Sequence, residues 1–334
     1  NLKKIGLSAL AGSLVAFSAN AVEMSVSGVA EVTYTTSGGD GSAPTGNPFG
    51  SNTSIKFSGS GDVGFGTATI VRTLNDGANV STQSDNFVSA YQTVDMGSLG
   101  TLSFDSAGGG LEGVTAYDDL LPTAYEEVWN GVGSGTSYNA GAASNDTIGY
   151  SNSFGAFGIS LASSKGGTRA SSDGGNDTGI TGTTRDIVLT FDASAVLDGL
   201  SGGVMSSKKS MTAATSDDDE IHGVYLNYTT GPISVGARGS SVDSGTAGST
   251  TKDVEAFSVA FNVNDNMSIS LATQDVKFDK TAGGTDVTET IDAINASYTM
   301  GAASVRATVS EASDDGGTAG TDDEHMEISL VLSF

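Results

Sequence analysis

The stretch that decides the fold is His325-Met326-Glu327-Ile328-Ser329-Leu330-Val331-Leu332-Ser333-Phe334, in which large apolar residues alternate with mostly small or polar ones. Successive side chains of a β-strand point to opposite faces, so one face carries an apolar stripe of Met326, Ile328, Leu330, Leu332 and Phe334. A soluble sheet would need another layer over that stripe, whereas a membrane barrel presents it to lipid. The pattern therefore favours a strand of a transmembrane β-barrel.

The composition limits the classes of protein that this chain can belong to. It has 334 residues, no Cys, 47 Gly, 4 Pro and a formal net charge of −25. A mean hydropathy of −0.05 argues against a bundle of membrane-spanning helices. The lack of Cys excludes disulfides and thiolate metal sites. Only 14 Lys and Arg residues are present, so we expect no nucleic-acid partner.

The first segment has the features of a secretory leader. Lys3 and Lys4 precede an apolar run over residues 5–17, and small residues at a cleavage site end at Ala21. We predict a signal peptide over residues 1–21 and a single domain over residues 22–334. The alternative is an N-terminal membrane anchor, although the run is too short to span a bilayer as a helix.

The rest of the chain consists of short segments with alternating hydrophobicity. Short connections rich in Gly, Asn and Asp, typical of tight hairpins, alternate with long loops rich in Gly, Ser, Thr and Asp. Large apolar residues share one face of each segment, while Ser, Thr, Gly, Asn and Gln on the other suit a water-filled lumen. Sixteen strands are predicted near residues 23–34, 53–61, 64–74, 85–96, 100–105, 146–154, 156–165, 186–193, 200–207, 220–229, 232–241, 254–263, 266–277, 289–300, 303–310 and 324–334.

With these features the chain resembles the general-diffusion porins of the Gram-negative outer membrane, most of all the alphaproteobacterial ones. The resemblance implies an all-β fold, a 16-stranded antiparallel transmembrane barrel with short periplasmic turns and long outer loops. It also implies a homotrimer in outer-membrane lipid that passes small hydrophilic solutes and ions. The outer-membrane assembly machinery would recognise the last strand, through Ile328, Leu330, Leu332 and Phe334.

The longest loop, residues 106–145, is the candidate functional segment, because structureless loops of this length are usually functional or disordered. Its acidic residues are Glu112, Asp118, Asp119, Glu126 and Glu127. In porins the corresponding loop folds into the barrel and narrows the channel. Apolar and aromatic residues between 117 and 129 favour that inward placement, since they need a surface to pack on. The alternative is a solvated outer loop.

Basic residues on the pore wall would face these acids. A Lys or Arg on the lipid face costs about 2 to 4 kcal/mol at the midplane, and strand parity places Lys56, Arg238 and Arg306 in the lumen. For Arg72, strand parity does not decide whether the side chain points into the lumen or toward lipid. We hypothesise that Lys56, Arg72, Arg238 and Arg306 face the loop acids across a constriction that prefers cations. The alternative is scattered wall charges that share no constriction.

Other functions have weaker support. The acidic runs 217–220, 314–315 and 322–324 could bind Ca²⁺ weakly, but they lack the spacing of a calcium loop, so we predict no metal site and no cofactor. His222 and His325 are the only histidines, and neither lies in a nucleophile motif, so we expect no enzyme and no catalytic residues. The alternative function is a secreted, acidic, calcium-dependent surface or adhesive β-protein.

Overall fold

A computed structural model describes residues 23–40, 46–75, 87–107, 111, 113–117, 120–133, 147–165, 182–210, 217–245, 250–279 and 284–334. The predicted signal peptide lies outside these ranges. Within them, none of the helices has the length and hydrophobicity needed to cross a membrane. The strands are β1 (Glu23–Gly39), β2 (Phe49–Asp62), β3 (Thr67–Asn75), β4 (Phe87–Asp95), β5 (Thr101–Ala107), β6 (Thr147–Phe154), β7 (Phe157–Lys165), β8 (Thr183–Asp192), β9 (Leu200–Lys209), β10 (Asp219–Thr230), β11 (Ile233–Asp243), β12 (Thr251–Asn264), β13 (Met267–Asp279), β14 (Val287–Met300), β15 (Ala303–Ser313) and β16 (Asp322–Ser333).

These sixteen strands form one closed barrel. Each pairs antiparallel with the next along the chain, and β16 pairs with β1. Short turns join the strands at one end, where Gly155, Gly231 and Gly301 adopt positive φ of 62°, 55° and 64°. The predicted fold class is confirmed. Several strands extend further toward the long loops than predicted, as β1 does to Gly39, because the hydrogen-bonded ladder continues where the alternating pattern has ended.

The outer face carries most of the large apolar side chains. In directly opposed pairs such as Leu161 and Ile187 or Leu271 and Ile294, both side chains point outward and are exposed. Toward the loop end this face becomes acidic. Glu255 pairs with Asp275, and a second row runs across three strands as Asp292, Glu311 and Glu324. Directly opposed like charges are unfavourable in low dielectric, so these rows lie above the apolar band.

The seam between β1 and β16 joins the first and last strands. Paired residues run from Val29 with Ser333 to Gly39 with Asp323. Beyond them, the backbone N–H of Gly28 donates to the carbonyl of Phe334, and the N–H of Phe334 donates to the carbonyl of Gly28, both at 2.9 Å. The Phe334 ring lies against Gly28, where an added Cβ would overlap it. Glycine at position 28 therefore leaves room for the terminal ring.

The inner face differs from the prediction of a uniformly small and polar surface. From β8 to β14 it includes large apolar side chains, and Val188, Ile221 and Ile291 are at most 1 % exposed. These residues belong to clusters that also contain Val114, Val128 and Val132, which lie between β5 and β6 in the chain. The prediction was wrong for this part of the wall because the loop covers it.

Candidate functional site

The loop between β5 and β6 lies inside the barrel in its described part, residues 111, 113–117 and 120–133. At its start, the backbone N–H of Val114 donates to the Asp186 carboxylate at 2.9 Å, on the inner face of β8. The Tyr117 hydroxyl bonds with Ser160 of β7 at 2.9 Å. Because both partners point into the lumen, these contacts hold the beginning of the loop against the wall.

The middle of the loop crosses β10, β11 and β13. The Asn227 side chain donates to the carbonyl of Leu120 at 2.7 Å, and the N–H of Ala124 donates to the Ser270 hydroxyl at 2.9 Å. Between these anchors Pro122 packs on Gly236, where an added Cβ would overlap the proline ring. Glycine at position 236 thus leaves room for the Pro122 ring.

The part of the loop after Ala124 is held by a reciprocal pair of hydrogen bonds. The N–H of Glu126 donates to the Asn295 amide oxygen at 3.2 Å, and the Asn295 amide N–H donates to the carbonyl of Glu126 at 3.1 Å. Val128 and Val132 pack on Ile291, while Gly131 lies against the His325 ring. This segment therefore rests on β14, β15 and β16.

Tyr125 reaches both terminal strands. Its hydroxyl lies 2.6 Å from the Glu327 carboxylate of β16 and 3.4 Å from the Glu31 carboxylate of β1. The Ser329 hydroxyl donates to the same Glu31 oxygen. The Arg306 guanidinium of β15 stands over the Tyr125 ring, 5.5 Å from its centroid. One loop side chain thus contacts two carboxylates and a cation at the seam.

Trp129 makes a second contact between an aromatic ring and an arginine. The Arg238 guanidinium lies 4.7 Å from the centroid of the Trp129 ring and donates to the Gln274 amide oxygen at 2.6 Å. Arg238 is only 4 % exposed. Its charge is therefore covered by the loop and does not face the water of the lumen.

The predicted loop acids are only partly described. Glu126 and Glu127 are half-buried on the inward-lying part of the loop, whereas Glu112, Asp118 and Asp119 lie outside the described residues. Burial, together with the neighbouring charges of Glu127 and Glu327, raises the pKa of Glu126 to about 7. Glu126 therefore changes its charge near neutral pH.

The predicted basic residues do not form one group. Lys56 is exposed on the inner face of β2, while Arg238 and Arg306 contact loop aromatics from the wall that carries the loop. Arg72 pairs directly with Phe57 and Ala90 and shares their outer face. Its placement in the lumen was wrong, because these neighbouring strands fix the orientation of β3.

Several inward residues that contact the loop were missed by sequence reasoning. Glu31 and Glu327 hold Tyr125, Asp186 holds Val114, and Asn295 holds Glu126. Strand parity does place Glu31 and Glu327 opposite the apolar stripes of their strands. The sequence pattern that could have identified these two residues is the presence of one acidic residue on the lumen-facing side of each terminal strand.

The histidines and the acidic run 217–220 lie close to other charged side chains. His222 is exposed and lies 3.8 Å from Glu220, while His325 lies 3.9 Å from Glu327. Lys208 pairs with Asp218 at 3.2 Å and with Glu220 at 2.6 Å, within the acidic run 217–220. Among the residues that the structure describes, no group of three or more His, Cys, Asp or Glu side chains could hold a metal ion.

Comparisons with known proteins agree with this architecture. The sequence model of the Gram-negative porin family matches residues 6–333. The chain is similar in structure to a porin refined at 1.8 Å resolution, with a TM-score of 0.64, 15 % identity and coverage of 93 % of this chain and 100 % of that one. It is also similar to an anion-selective porin from Comamonas acidovorans, with a TM-score of 0.66, 14 % identity and coverage of 94 % and 100 %.

Two further solved structures are also similar to the chain. OmpF of Salmonella typhi, solved with daunomycin, has a TM-score of 0.67 and 13 % identity, and the match covers 94 % of this chain and 98 % of that one. A trimer form of OmpT from Vibrio cholerae has a TM-score of 0.60 and 12 % identity, with coverage of 94 % and 100 %. At these identities the likeness shows the fold. No curated protein sequence matches the chain.

Proposed function

This chain belongs to the Gram-negative porin family and is a passive channel of the outer membrane, and we propose that it passes small hydrophilic solutes with a preference for cations. The observation that carries the preference is the distribution of charge around the loop. Glu31, Glu126, Glu127 and Glu327 lie at or beside it, whereas the charge of Arg238 is covered by Trp129. A permeating ion therefore meets more carboxylates than guanidinium groups, which favours cations.

The loop, in this proposal, narrows the channel. Its described contacts follow the wall from β7 to β16. Glu112, Asp118 and Asp119, which lie outside the described residues, add to the negative charge of the same loop. Lys56 lies on β2, four strands from β14 in the closed order of sixteen, and Asn295 of β14 holds Glu126. The field between Lys56 and the loop acids would orient polar solutes.

Charge neutralisation tests the cation preference. Reversal potentials in a salt gradient across a planar bilayer would be measured for the native channel and for Glu126→Gln with Glu127→Gln. We expect the double variant to lose much of the preference, because two carboxylates beside the path become neutral. Glu311→Gln on the outer face is the control and should leave the reversal potential unchanged. An unchanged preference in the double variant would refute the loop assignment.

The pH provides a second test of the same site. Since the pKa of Glu126 is raised to about 7, its carboxyl group is largely neutral below that pH and charged above it. Cation preference should therefore increase as the pH rises from about 6 to about 8. The increase should disappear in Glu126→Gln. A native channel whose reversal potential is flat over this range would contradict the role of Glu126.

We also propose that the chain forms a homotrimer through the outer face of β2 to β4. Arg72 points outward beside Phe57, with Gln92 as its diagonal neighbour and Ala90 directly opposite. Exposure of this arginine to lipid near mid-height would cost about 2 to 4 kcal/mol, whereas a second copy can bind its remaining N–H groups. Three equal closing steps in a single-channel record would support the trimer, and isolated single steps would contradict it.

Assembly is the last part of the proposal. The outer-facing residues Ile328, Leu330, Leu332 and Phe334 form a continuous apolar stripe on β16, and Phe334 is 71 % exposed at its end. We propose that the outer-membrane assembly machinery recognises this stripe. Purified machinery should bind a peptide of residues 325–334 and should bind the same peptide without Phe334 more weakly.

A further inference from the structure

Tyr125 connects the loop to both ends of the barrel sheet. Glu31 belongs to β1, the first strand, while Glu327 and Ser329 belong to β16, the last. These strands are adjacent only because the barrel is closed, and Ser329 pairs with Thr33 across the seam. The two carboxylates that flank the Tyr125 hydroxyl are therefore brought together only when the two strands have paired.

The hydrogen bonds at this site form a directed chain. A hydroxyl carries one proton, and the 2.6 Å distance to Glu327 marks that carboxylate as the main acceptor of the Tyr125 proton. Glu31, at 3.4 Å, is the second and weaker acceptor of Tyr125, and the same carboxylate oxygen accepts the Ser329 proton. Burial and the bond to Glu327 raise the pKa of Tyr125 above its ordinary value, so the hydroxyl remains a donor at neutral pH.

The ring of Tyr125 contributes separately from its hydroxyl. The Arg306 guanidinium lies 5.5 Å from the ring centroid and makes a cation–π contact with the ring. Arg306 belongs to β15 and pairs with Ser329 of β16. Three consecutive strands of the closed barrel, β15, β16 and β1, thus supply the groups that surround one loop side chain.

We propose that Tyr125 is a lock that couples closure of the barrel to placement of the loop. Pairing of β1 with β16 assembles the carboxylates, and these then hold the loop in its inner position. The lock rests on the proposed function as a channel, because it determines for what fraction of the time the loop keeps the position in which it narrows the lumen. Tyr125 acts as a positioning residue, since its hydroxyl is engaged with the wall.

The two ends of the described loop are anchored independently of each other. Val114 and Tyr117 bind β8 and β7, on a part of the wall far from the seam. When the Tyr125 hydroxyl is removed, the start of the loop keeps its anchors. The segment around residues 123–127 keeps its bonds to Ser270 and Asn295 but loses its bond to the seam. Loss of one hydrogen bond to a charged group shifts such a local equilibrium about tenfold or more.

The experiment compares two tyrosines of the same loop. Tyr125→Phe keeps the ring under Arg306 and removes the hydroxyl, and Tyr117→Phe removes the equivalent bond to Ser160 on β7. Single-channel records in a planar bilayer would give the frequency of partial closures and substates. We expect about a tenfold increase for Tyr125→Phe, which is the equilibrium shift for one lost charged hydrogen bond.

Glu327→Gln distinguishes a lock from a general loss of packing. It should raise the closure frequency by itself, and it should add little when combined with Tyr125→Phe, because both changes remove the same bond. Combined with Tyr117→Phe, its effect should be additive. Since coupling is reciprocal, Tyr125→Phe should also lower the temperature at which the folded barrel unfolds, by more than Tyr117→Phe does.

Each result decides between the lock and its absence. The lock would be overturned if the Tyr125→Phe channel closes partially no more often than the native one. It would also be overturned if the effects of Tyr125→Phe and Glu327→Gln on the closure frequency are additive. If Tyr125→Phe fails to assemble, Glu327→Gln provides the same comparison against Tyr117→Phe. Failure of the channel proposal is separate, because it would appear as a native protein that conducts no ions.

Discussion

The outer face of β12 to β15 and the outer face of β2 to β4 belong to the same barrel but have different chemistry. The first carries large apolar side chains, including Phe257, Leu271 and Ile294, which are exposed. The second carries the polar side chains of Arg72 and Gln92 and the small Ala90, together with the apolar Phe57 and Ile70. This difference fits the proposed interface, in which lipid covers the first face and a second copy of the chain covers the second.

The free energy of placing each kind of side chain in lipid supports the same division between the two outer faces. Apolar groups are the surface that lipid accepts at no cost, whereas a guanidinium group near the midplane costs about 2 to 4 kcal/mol. Small side chains allow two backbones to approach closely, which favours contact between protein chains within a membrane. Substitutions on the two faces and at the seam can test this division.

Leu271→Arg should be the most damaging change. Leu271 is 58 % exposed on the outer face of β13, between Val259 and Ile294. A charge there should destabilise the barrel by about 2 to 4 kcal/mol. Unfolding in urea after insertion into lipid vesicles would measure the loss. Leu271→Ala is the control for lost side-chain volume, and an equal loss in both variants would contradict a lipid-covered face.

Deletion of Phe334 should affect assembly more than conduction. It removes the two backbone hydrogen bonds to Gly28 at the seam, which contribute about 1 to 3 kcal/mol together. We expect a reduced yield of folded barrel in the outer membrane and native conductance in those barrels that do form. Heat-resistant barrel in membrane extracts would measure the yield. A normal yield would argue against a role of Phe334 in recognition and closure.

The expected effect of Arg72→Leu on stability has opposite signs for the two possible environments of this side chain, a second copy of the chain or lipid. If a second copy covers Arg72, the variant loses hydrogen bonds between copies, and the trimer should dissociate at lower temperature, a weakening of about 1 to 3 kcal/mol. If lipid covers it, removal of the charge should raise the stability of the barrel. Dissociation temperatures followed by native electrophoresis separate these outcomes. Increased stability would contradict the proposed interface.

Gly28→Ala should have the smallest effect. The new Cβ would overlap the Phe334 ring, which stands at the end of a strand and can turn away. We expect a loss of about 1 kcal/mol or less, with a folded yield between those of the native chain and the Phe334 deletion. Ala30→Gly, two residues along the same face of β1, is the control. A Gly28→Ala yield below that of the deletion would contradict this ring placement.

Much of the fold was predictable because lipid imposes a strict pattern. Every strand has to satisfy its backbone hydrogen bonds with neighbours and to present apolar groups on one face, so alternation and turn chemistry determine the number and order of strands. β3 shows where this fails. Ile70, Val71 and Leu74 place apolar groups on both faces, so its own sequence leaves the direction of Arg72 open, and only pairing with Phe57 decides it.

The candidate site was less predictable because its contacts join distant parts of the chain. The acidity and aromatic content of the loop indicated a functional segment, but the pairing of Tyr125 with Glu31 and Glu327 depends on closure of the whole barrel. One local signal went unused. In Ile187-Val188-Leu189 the alternation is interrupted, and the inward Val188 is fully buried beneath the loop.

The rows of outward acids near the loops also determine how deep the barrel sits. From Ala303, beside the short turn, to Glu311, strand β15 rises roughly 20 Å along the membrane normal at the rise and tilt usual for such barrels. Transfer of Glu311 and its neighbours Asp292 and Glu324 into the hydrocarbon layer is unfavourable, because their like charges lie directly opposite one another. These residues therefore fix the depth of the protein in the bilayer. A bilayer much thicker than this span would have to thin around the barrel rather than draw it deeper.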